Sequence, residues 1–122
     1  QKVMDQYAGG IGTHYQFNEK QLAMAEEKIK KLQILAKGLA AADMHELMFI
    51  YELKERLPVC LTVIAHLRAR KETRWHSFAE NLDYPEKSDA WLCYVNSKKN
   101  GDQITMIRRD LVKGGETYEH RD

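Results

Sequence analysis

The sequence has little cysteine and proline, no excess of either charge and no apolar run that would cross a bilayer. It holds two cysteines and two prolines in 122 residues, and its formal net charge is +1. A near-neutral chain gives no electrostatic basis for binding nucleic acid or an anionic membrane surface. Its apolar runs are far shorter than the roughly 20 residues of a transmembrane helix. We therefore expect no nucleic-acid binding and no membrane insertion.

The two cysteines, Cys60 and Cys93, lie on predicted regular elements and lack the spacing of a CxxC motif. A disulfide between them remains open, but reduced thiols are favoured because free cysteine behaves as a small buried hydrophobe. A reducing, cytoplasmic location is the corresponding expectation. The chain begins at Gln1 without an initiator methionine, which leads us to expect a piece of a longer protein.

Catalytic patterns are also lacking. No nucleophile and base stand at a recognised spacing, and we find neither a metal-ligand cluster nor a dinucleotide fingerprint. The glycines near Ile11 follow no apolar strand, so we interpret them as a source of backbone freedom rather than a phosphate loop. Glu72 and Asp83 could act as an acid–base pair, although surface ion pairing is the favoured interpretation. We predict that this chain alone binds no cofactor and catalyses no reaction.

Two capping boxes divide the middle of the chain into helices. The first helix is predicted to begin after Asn18, with Gln21 as the capping-box partner. Its apolar positions recur every three or four residues; they are Leu22, Ala25, Ile29, Leu32, Ala36 and Leu39. The second helix is predicted to begin after Asp43. Its broad apolar face, which includes Met44 and Tyr51, predicts heavy burial.

Pro58 interrupts this second helix, and proline removes one helical hydrogen bond and crowds the preceding turn. We expect a kink with nearly continuous helix as far as Arg74. From Ala90 to Ile107 the sequence predicts a hairpin, because Asn100-Gly101 is a strong turn dipeptide. The predicted fold is therefore mainly α, resembling a three-helix bundle of long helices, one of them kinked at Pro58, with a C-terminal β-hairpin. We predict an extended lead-in over residues 1–17, the helical domain with its hairpin over 18–110, and a polar tail over 111–122.

The most specific stretch runs from Arg68 to Lys98 and mixes aromatic with charged residues. Its basic residues are predicted to occupy the last helical turns, where cations favour the negative end of the helix dipole. Capping accounts for some of them, and Arg74 beside Trp75 also suggests an ion pair with another domain. Stacking on nucleic acid bases is a third interpretation. The interleaved acidic residues and the near-neutral charge argue against that third interpretation.

Three motifs carry a family resemblance: Glu72-Thr73-Arg74-Trp75, Asp83-Tyr84-Pro85, and the run from Trp91 to Lys98. With them the sequence resembles the C-terminal helical domain of the fumarate reductase and succinate dehydrogenase flavoprotein family, most of all its adenylylsulfate reductase alpha-subunit branch. The spacing from Arg74 to Pro85 fits that branch, since the fumarate and succinate branch has a shorter loop. Asn81 stands where the family usually has an arginine.

The resemblance implies a parent protein that uses FAD and converts adenylyl sulfate to sulfite and AMP, with electrons from an iron–sulfur beta subunit. This chain would brace the flavin domain of the same parent and help shape the partner surface, without catalytic, cofactor-binding or metal-binding residues of its own. The residues predicted to contact another domain or the partner are Arg70, Arg74, Trp75, Asp83, Tyr84 and Trp91. A fumarate reductase or succinate dehydrogenase domain and a freestanding helical interaction module remain alternatives.

Overall fold

The structure, a computed structural model, describes residues 1–111. Its helices are α1 (Lys2–Tyr7), α2 (Glu19–Lys37) and α3 (Met44–Ala69), and its strands are β1 (Gln16–Phe17), β2 (Glu80–Asn81), β3 (Cys93–Asn100) and β4 (Gln103–Asp110). Short 3₁₀ turns occupy Ile11–Thr13 and Asp89–Trp91. The mainly helical fold with a C-terminal hairpin is thus as the sequence predicts. The predicted tail over 111–122 falls, apart from residue 111, outside the described residues.

The core lies between α2, the second half of α3 and the N-terminal segment. Leu22, Ile29 and Ile64 are almost completely buried, and each such side chain contributes about 1.5–3 kcal/mol through removal from water. The buried hydrophobic residues are Ala8, Phe17, Leu22, Ala25, Ile29, Ala36, Leu57 and Ile64. Most of the predicted stripe of α2 is therefore buried, whereas its Leu32 and Leu39 remain exposed.

The N-terminal segment is not the extended lead-in that the sequence predicts. It forms α1, a 3₁₀ turn and β1, and it buries Ala8 and Phe17 against the core. A tight approach fixes its path, since a Cβ on Gly10 would lie 2.4 Å from the Cα of Asp5. The reason for the difference is tertiary. A helix of six residues is too short to be stable by itself, so packing on α2 supports it.

Both predicted helix starts are confirmed. The Asn18 side chain accepts a hydrogen bond from the Gln21 amide at 2.8 Å, and the Asp43 side chain accepts one from the Glu46 amide at 2.9 Å. Helix α3 runs through Pro58 without a break, so the predicted continuity is confirmed, while the predicted kink stays a prediction. It ends at Ala69 rather than near Arg74, because the backbone of the following residue is already extended, with ψ at 105°.

The first half of α3 is much more exposed than the sequence predicts. Met44 is 73% exposed and Tyr51 59%, and Leu57 and Ile64 are the fully buried side chains of this helix. Helix α2 covers one side of α3, and nothing within residues 1–111 covers these side chains. The apolar pattern was correctly recognised, but the predicted burial of this half was wrong for the described part of the chain.

The hairpin pairs β3 with β4 in antiparallel register from Cys93↔Asp110 to Asn100↔Gln103. Gly101, with φ at +62°, therefore begins the turn, one residue later than the predicted Asn100-Gly101 placement. The turn suits glycine because its first central position takes positive φ. Both cysteines are free, as expected, but they are half-buried rather than buried. Among the described residues no helix combines the length and the apolarity that membrane crossing requires.

Candidate functional site

Two of the six predicted contact residues, Arg70 and Arg74, bind one carboxylate, that of Glu72, whose side chain is fully buried. Arg70 Nη1 lies 2.6 Å from Glu72 Oε1, and Arg74 donates from Nε to Oε1 and from Nη2 to Oε2, both at 2.9 Å. The backbone amide of Ser88 donates to Oε2 at 3.0 Å. Glu72 therefore forms ion pairs, as the favoured interpretation has it, but in a buried network rather than at the surface, and none of these contacts involves Asp83.

The same arrangement sets the ionisation of Glu72. Burial would raise the pKa of its carboxyl group, but the hydrogen bonds from Arg74, the Ser88 amide and Arg70 outweigh burial and hold the pKa below its usual value. A carboxylate that accepts several hydrogen bonds is stabilised in its charged form. Glu72 is therefore an anion at neutral pH and a poor proton donor.

Arg70 and Arg74 also tie the end of α3 to the segment that leads into the hairpin. Arg70 donates to the carbonyl oxygen of Trp91 at 2.7 Å and to that of Cys93 at 2.8 Å, and Arg74 donates to that of Ser88 at 3.1 Å. Both arginine side chains are mostly buried, with 30% and 20% exposed. These contacts explain why the chain leaves the helix after Ala69. The sequence pattern placed both arginines in the last helical turns, and that placement was wrong.

Trp91 lies between two guanidinium groups. The Arg108 group lies 4.0 Å from a Trp91 ring centroid and the Arg70 group 5.9 Å, both within cation–π range. Arg108 also donates to the carbonyl oxygen of Ala90. The half-buried Trp91 therefore connects the segment before β3 with Arg108 on β4 and with Arg70 after α3. The prediction that Trp91 contacts another domain stays a prediction.

Asp83 and Tyr84 have internal partners. Asp83 Oδ2 accepts a hydrogen bond from the Glu19 amide at 2.7 Å, so it adds a second cap to the start of α2. The Tyr84 carbonyl oxygen lies 2.8 Å from Thr73 Oγ1, and its ring faces the Lys71 ammonium at 6.0 Å. The structure therefore assigns a stabilising role to each, whatever further contact they make.

Thr73 and Asn81 are buried polar residues whose structural role the sequence reasoning missed. The Thr73 hydroxyl accepts from the Asn81 amide at 3.0 Å, and the Asn81 side chain accepts from the Asp83 amide at 3.0 Å. Parallel pairing of β1 with β2 holds this loop against the N-terminal segment. A local signal existed, since Asn-x-Asp is typical of a side-chain-to-backbone turn. At position 81, asparagine therefore serves the loop itself.

A second charged group, also not singled out from the sequence, joins α2 to α3. Arg68 Nε donates to Glu19 Oε1 at 2.9 Å, and Arg68 also pairs with Glu26, which accepts from Lys30 at 2.7 Å. The hydrogen bond from Lys30 is the largest of the effects that hold the pKa of Glu26 below its usual value, with Arg68 adding to it and burial opposing it. This group locks the two long helices together near the core.

Trp75 differs from the other predicted contact residues because its side chain is open. It is 69% exposed, and Phe78 beside it is 73% exposed. The chain between them is fixed by amide hydrogen bonds from Phe78 and Ala79 to the Trp75 carbonyl oxygen. Two large aromatic side chains held outward on a fixed turn suit a contact with another protein surface.

An open cleft of about 460 Å³ is lined by the carboxylates of Glu19 and Asp83 and by the cationic side chains of Arg68 and Lys71, of which Arg68 is paired with Glu19. Within residues 1–111 no cluster of three or more histidine, cysteine or carboxylate side chains is arranged to hold a metal ion. The geometry of the described residues supports packing and contact.

Comparison with known proteins finds adenylylsulfate reductases. No protein-family model matches the chain. The adenylylsulfate reductase alpha subunit of Megalodesulfovibrio gigas is 34% identical over 98 residues, which cover 80% of this chain and 15% of that protein. Adenylylsulfate reductase from Archaeoglobus fulgidus superposes with a TM-score of 0.90 at 40% identity, covering 98% of this chain and 19% of that chain.

A solved adenosine-5-phosphosulfate reductase in complex with sulfite matches with the same TM-score, identity and coverage. The chain therefore spans less than a fifth of the length of these relatives. Nearly all of its own length nevertheless takes part in the structural match. What is shared is one domain-sized part of a much longer polypeptide.

Proposed function

We propose that this chain, which is homologous to a part of the adenylylsulfate reductase alpha subunit, is the C-terminal helical domain of an FAD-dependent reductase of that type. In the proposed parent, the flavin and the substrate are held by other domains, and adenylyl sulfate is reduced by two electrons to sulfite and AMP. This domain braces the flavin domain and helps shape the surface for an iron–sulfur beta subunit. A cytoplasmic location belongs to the same proposal.

One observation carries the proposal. At 40% identity, 98% of this chain superposes with a TM-score of 0.90 on less than a fifth of an adenylylsulfate reductase chain. The described residues add support, because their ion pairs stabilise the domain internally and leave large apolar side chains at the surface. In the proposed function, the network centred on Glu72 keeps the Trp75 loop and the hairpin entry in fixed positions for the neighbouring domain.

The test is turnover by the protein purified from its source. We expect it to form sulfite from adenylyl sulfate when supplied with a reduced electron donor, and to leave fumarate unreduced under the same conditions. Reduction of fumarate without sulfite formation would move the domain to the fumarate and succinate branch. Absence of both activities from a preparation without flavin would favour the freestanding interaction module.

A further inference from the structure

The last turn of α2, the connection after it and the first ten residues of α3 form a two-helix projection, here called the arm and defined as residues 34–53. Ala36 is the one fully buried apolar side chain of the arm, while Leu47 and Ile50 are half-buried. The other buried hydrophobic residues all come before residue 34 or after residue 53 in the sequence. Within residues 1–111 the arm therefore contributes a single fully buried side chain to the core.

The arm carries an unusual density of exposed apolar side chains. Each of its exposed large hydrophobic residues shows at least 40% of its surface. They are Ile34, Leu35, Leu39, Met44, Met48, Phe49, Tyr51 and Leu53. Scattered exposed leucines are normal, whereas eight large exposed apolar side chains within these 20 residues are the density expected of an interaction site.

These side chains lie on more than one face of α3. Met44, Met48 and Tyr51 are spaced by four and three residues and form one stripe, and Phe49 and Leu53 are spaced by four and form a second. At 3.6 residues per turn, the two stripes are roughly 150° apart around the helix. A helix that is apolar all round is a buried helix. One flat partner surface would cover one stripe and leave the other in water.

The charged side chains of the arm indicate which kind of surface could bind it. The arm carries one cationic side chain, Lys37, against the carboxylates of Asp43, Glu46 and Glu52. A surface for anionic lipid or nucleic acid would need clustered lysine and arginine. An apolar protein groove has no such requirement. The partner chemistry that fits is therefore a hydrophobic cleft on a folded protein.

We propose that the arm inserts into an apolar cleft formed by another domain of the same long polypeptide, and that it is the main docking element of this domain. The inference rests on the proposed function. Its support is that the arm lies within the 98% of the chain that superposes on a relative about five times as long, so the same projection exists where more polypeptide is present to receive it. A second copy of the chain is the less suitable occupant, because a two-fold contact through one stripe leaves the other exposed.

The experiment measures thiol labelling in the full-length protein, purified in its native assembly. Met48→Cys and Phe49→Cys test the two stripes, and Glu27→Cys is the control. In this domain the exposed fractions are 59% for Met48, 68% for Phe49 and 69% for the Glu27 side chain. Each position is followed by mass spectrometry of its own peptide after maleimide treatment, which separates it from the native cysteines. The mass and the flavin absorbance of each preparation are read before labelling.

We expect both arm positions to react at least about tenfold more slowly than the control, as for side chains that become accessible through rare local opening. Labelling as fast as the control in a flavin-containing protein would overturn the docking proposal while the proposed function stands. Slow labelling at only one of the two arm positions would overturn the docking proposal in favour of self-association. So would slow labelling that becomes fast on dilution, when the mass of the assembly falls by half. A colourless protein no longer than this chain would overturn the docking proposal and the proposed function together.

Discussion

Glu72→Gln is the substitution that probes the charged network most directly. Glu72 accepts hydrogen bonds from Arg70 at 2.6 Å, from Arg74 at 2.9 Å on each oxygen and from the Ser88 amide at 3.0 Å. Glutamine keeps the size of the side chain and one acceptor oxygen. Its amide nitrogen would replace Oε2 and face two donors, Arg74 Nη2 and the Ser88 amide. The variant therefore loses two hydrogen bonds and leaves two guanidinium groups without a counter-charge.

The magnitude follows from burial. Hydrogen bonds to charged groups are worth about 1.5–3 kcal/mol each, and removing one partner of a buried pair costs about 3–5 kcal/mol. Arg70 and Arg74 keep 30% and 20% of their side chains in water, which lowers that cost. We expect the free energy of unfolding to fall by about 2–4 kcal/mol, a large part of the roughly 5–15 kcal/mol typical of a domain.

The assay is urea unfolding at neutral pH, followed by far-ultraviolet circular dichroism and by tryptophan fluorescence. Glu27→Gln is the matched control, because Glu27 forms an exposed pair with Lys31 at 3.2 Å with both side chains 69% exposed. That change should cost about 0.5 kcal/mol or less. A loss below about 1 kcal/mol for Glu72→Gln would refute the argument that the buried carboxylate organises this region.

The pKa of Glu72 adds a pH dependence whose sign is fixed. Because its pKa is lowered in the folded state, its contribution to stability is complete above the unfolded value of about 4.3 and is lost as the pH falls through the folded value. The glutamine variant has no such group. The difference in unfolding free energy between the two proteins should therefore be constant near neutral pH and shrink in acid. A difference that stays the same across the acid range would show that Glu72 is not ionised in the fold.

Three further changes are read by the same unfolding assay. Ile64→Ala removes a side chain that is 1% exposed and should cost about 2–5 kcal/mol; a cost below about 1 kcal/mol would contradict its place in the core. Gly10→Ala puts a Cβ 2.4 Å from the Cα of Asp5, so we expect about 1–3 kcal/mol of strain, and an unchanged urea midpoint would be evidence against that close approach. Asn18→Ala removes the cap on the Gln21 amide and should cost about 1 kcal/mol, with most of it restored by Asn18→Ser; equal loss in both variants would contradict the capping role.

Local rules predicted the helix starts well. Asn18 and Asp43 cap amides three residues further on, and such contacts depend on neighbours in sequence. The short helix Lys2–Tyr7 could not be predicted in the same way, because its stability comes from packing rather than from its own period. Phe17, which follows this helix in the N-terminal segment, is 3% exposed and belongs to the hydrophobic core.

The end of α3 and the roles of the charged residues depend on contacts between distant parts of the chain. Arg70 reaches the carbonyl oxygens of Trp91 and Cys93, and Asp83 caps the amide of Glu19, 64 residues away. The sequence identified the right residue types in the right stretch, but a basic residue near an aromatic gives no sign of facing inward. The predicted contact with another domain stays untested for all six residues, and Trp75 has the most exposed surface to offer.

In the first half of α3 the sequence predicts burial, whereas the described residues show exposure. Its apolar pattern, with Met44 and Met48 on one face and Phe49 on another, predicts a covered helix. Within residues 1–111 these side chains are 73%, 59% and 68% exposed. An apolar pattern of this kind predicts that the helix is buried, but it does not identify the part of the protein that buries it. The proposed arm contact accounts for both observations.

The central claim is that this chain is one domain of a long flavoprotein. The most direct test is the intact mass and the visible absorption spectrum of the protein purified from its source. We predict a chain several times longer than 122 residues that carries the absorption bands of oxidised flavin. A colourless protein of this length would contradict the account.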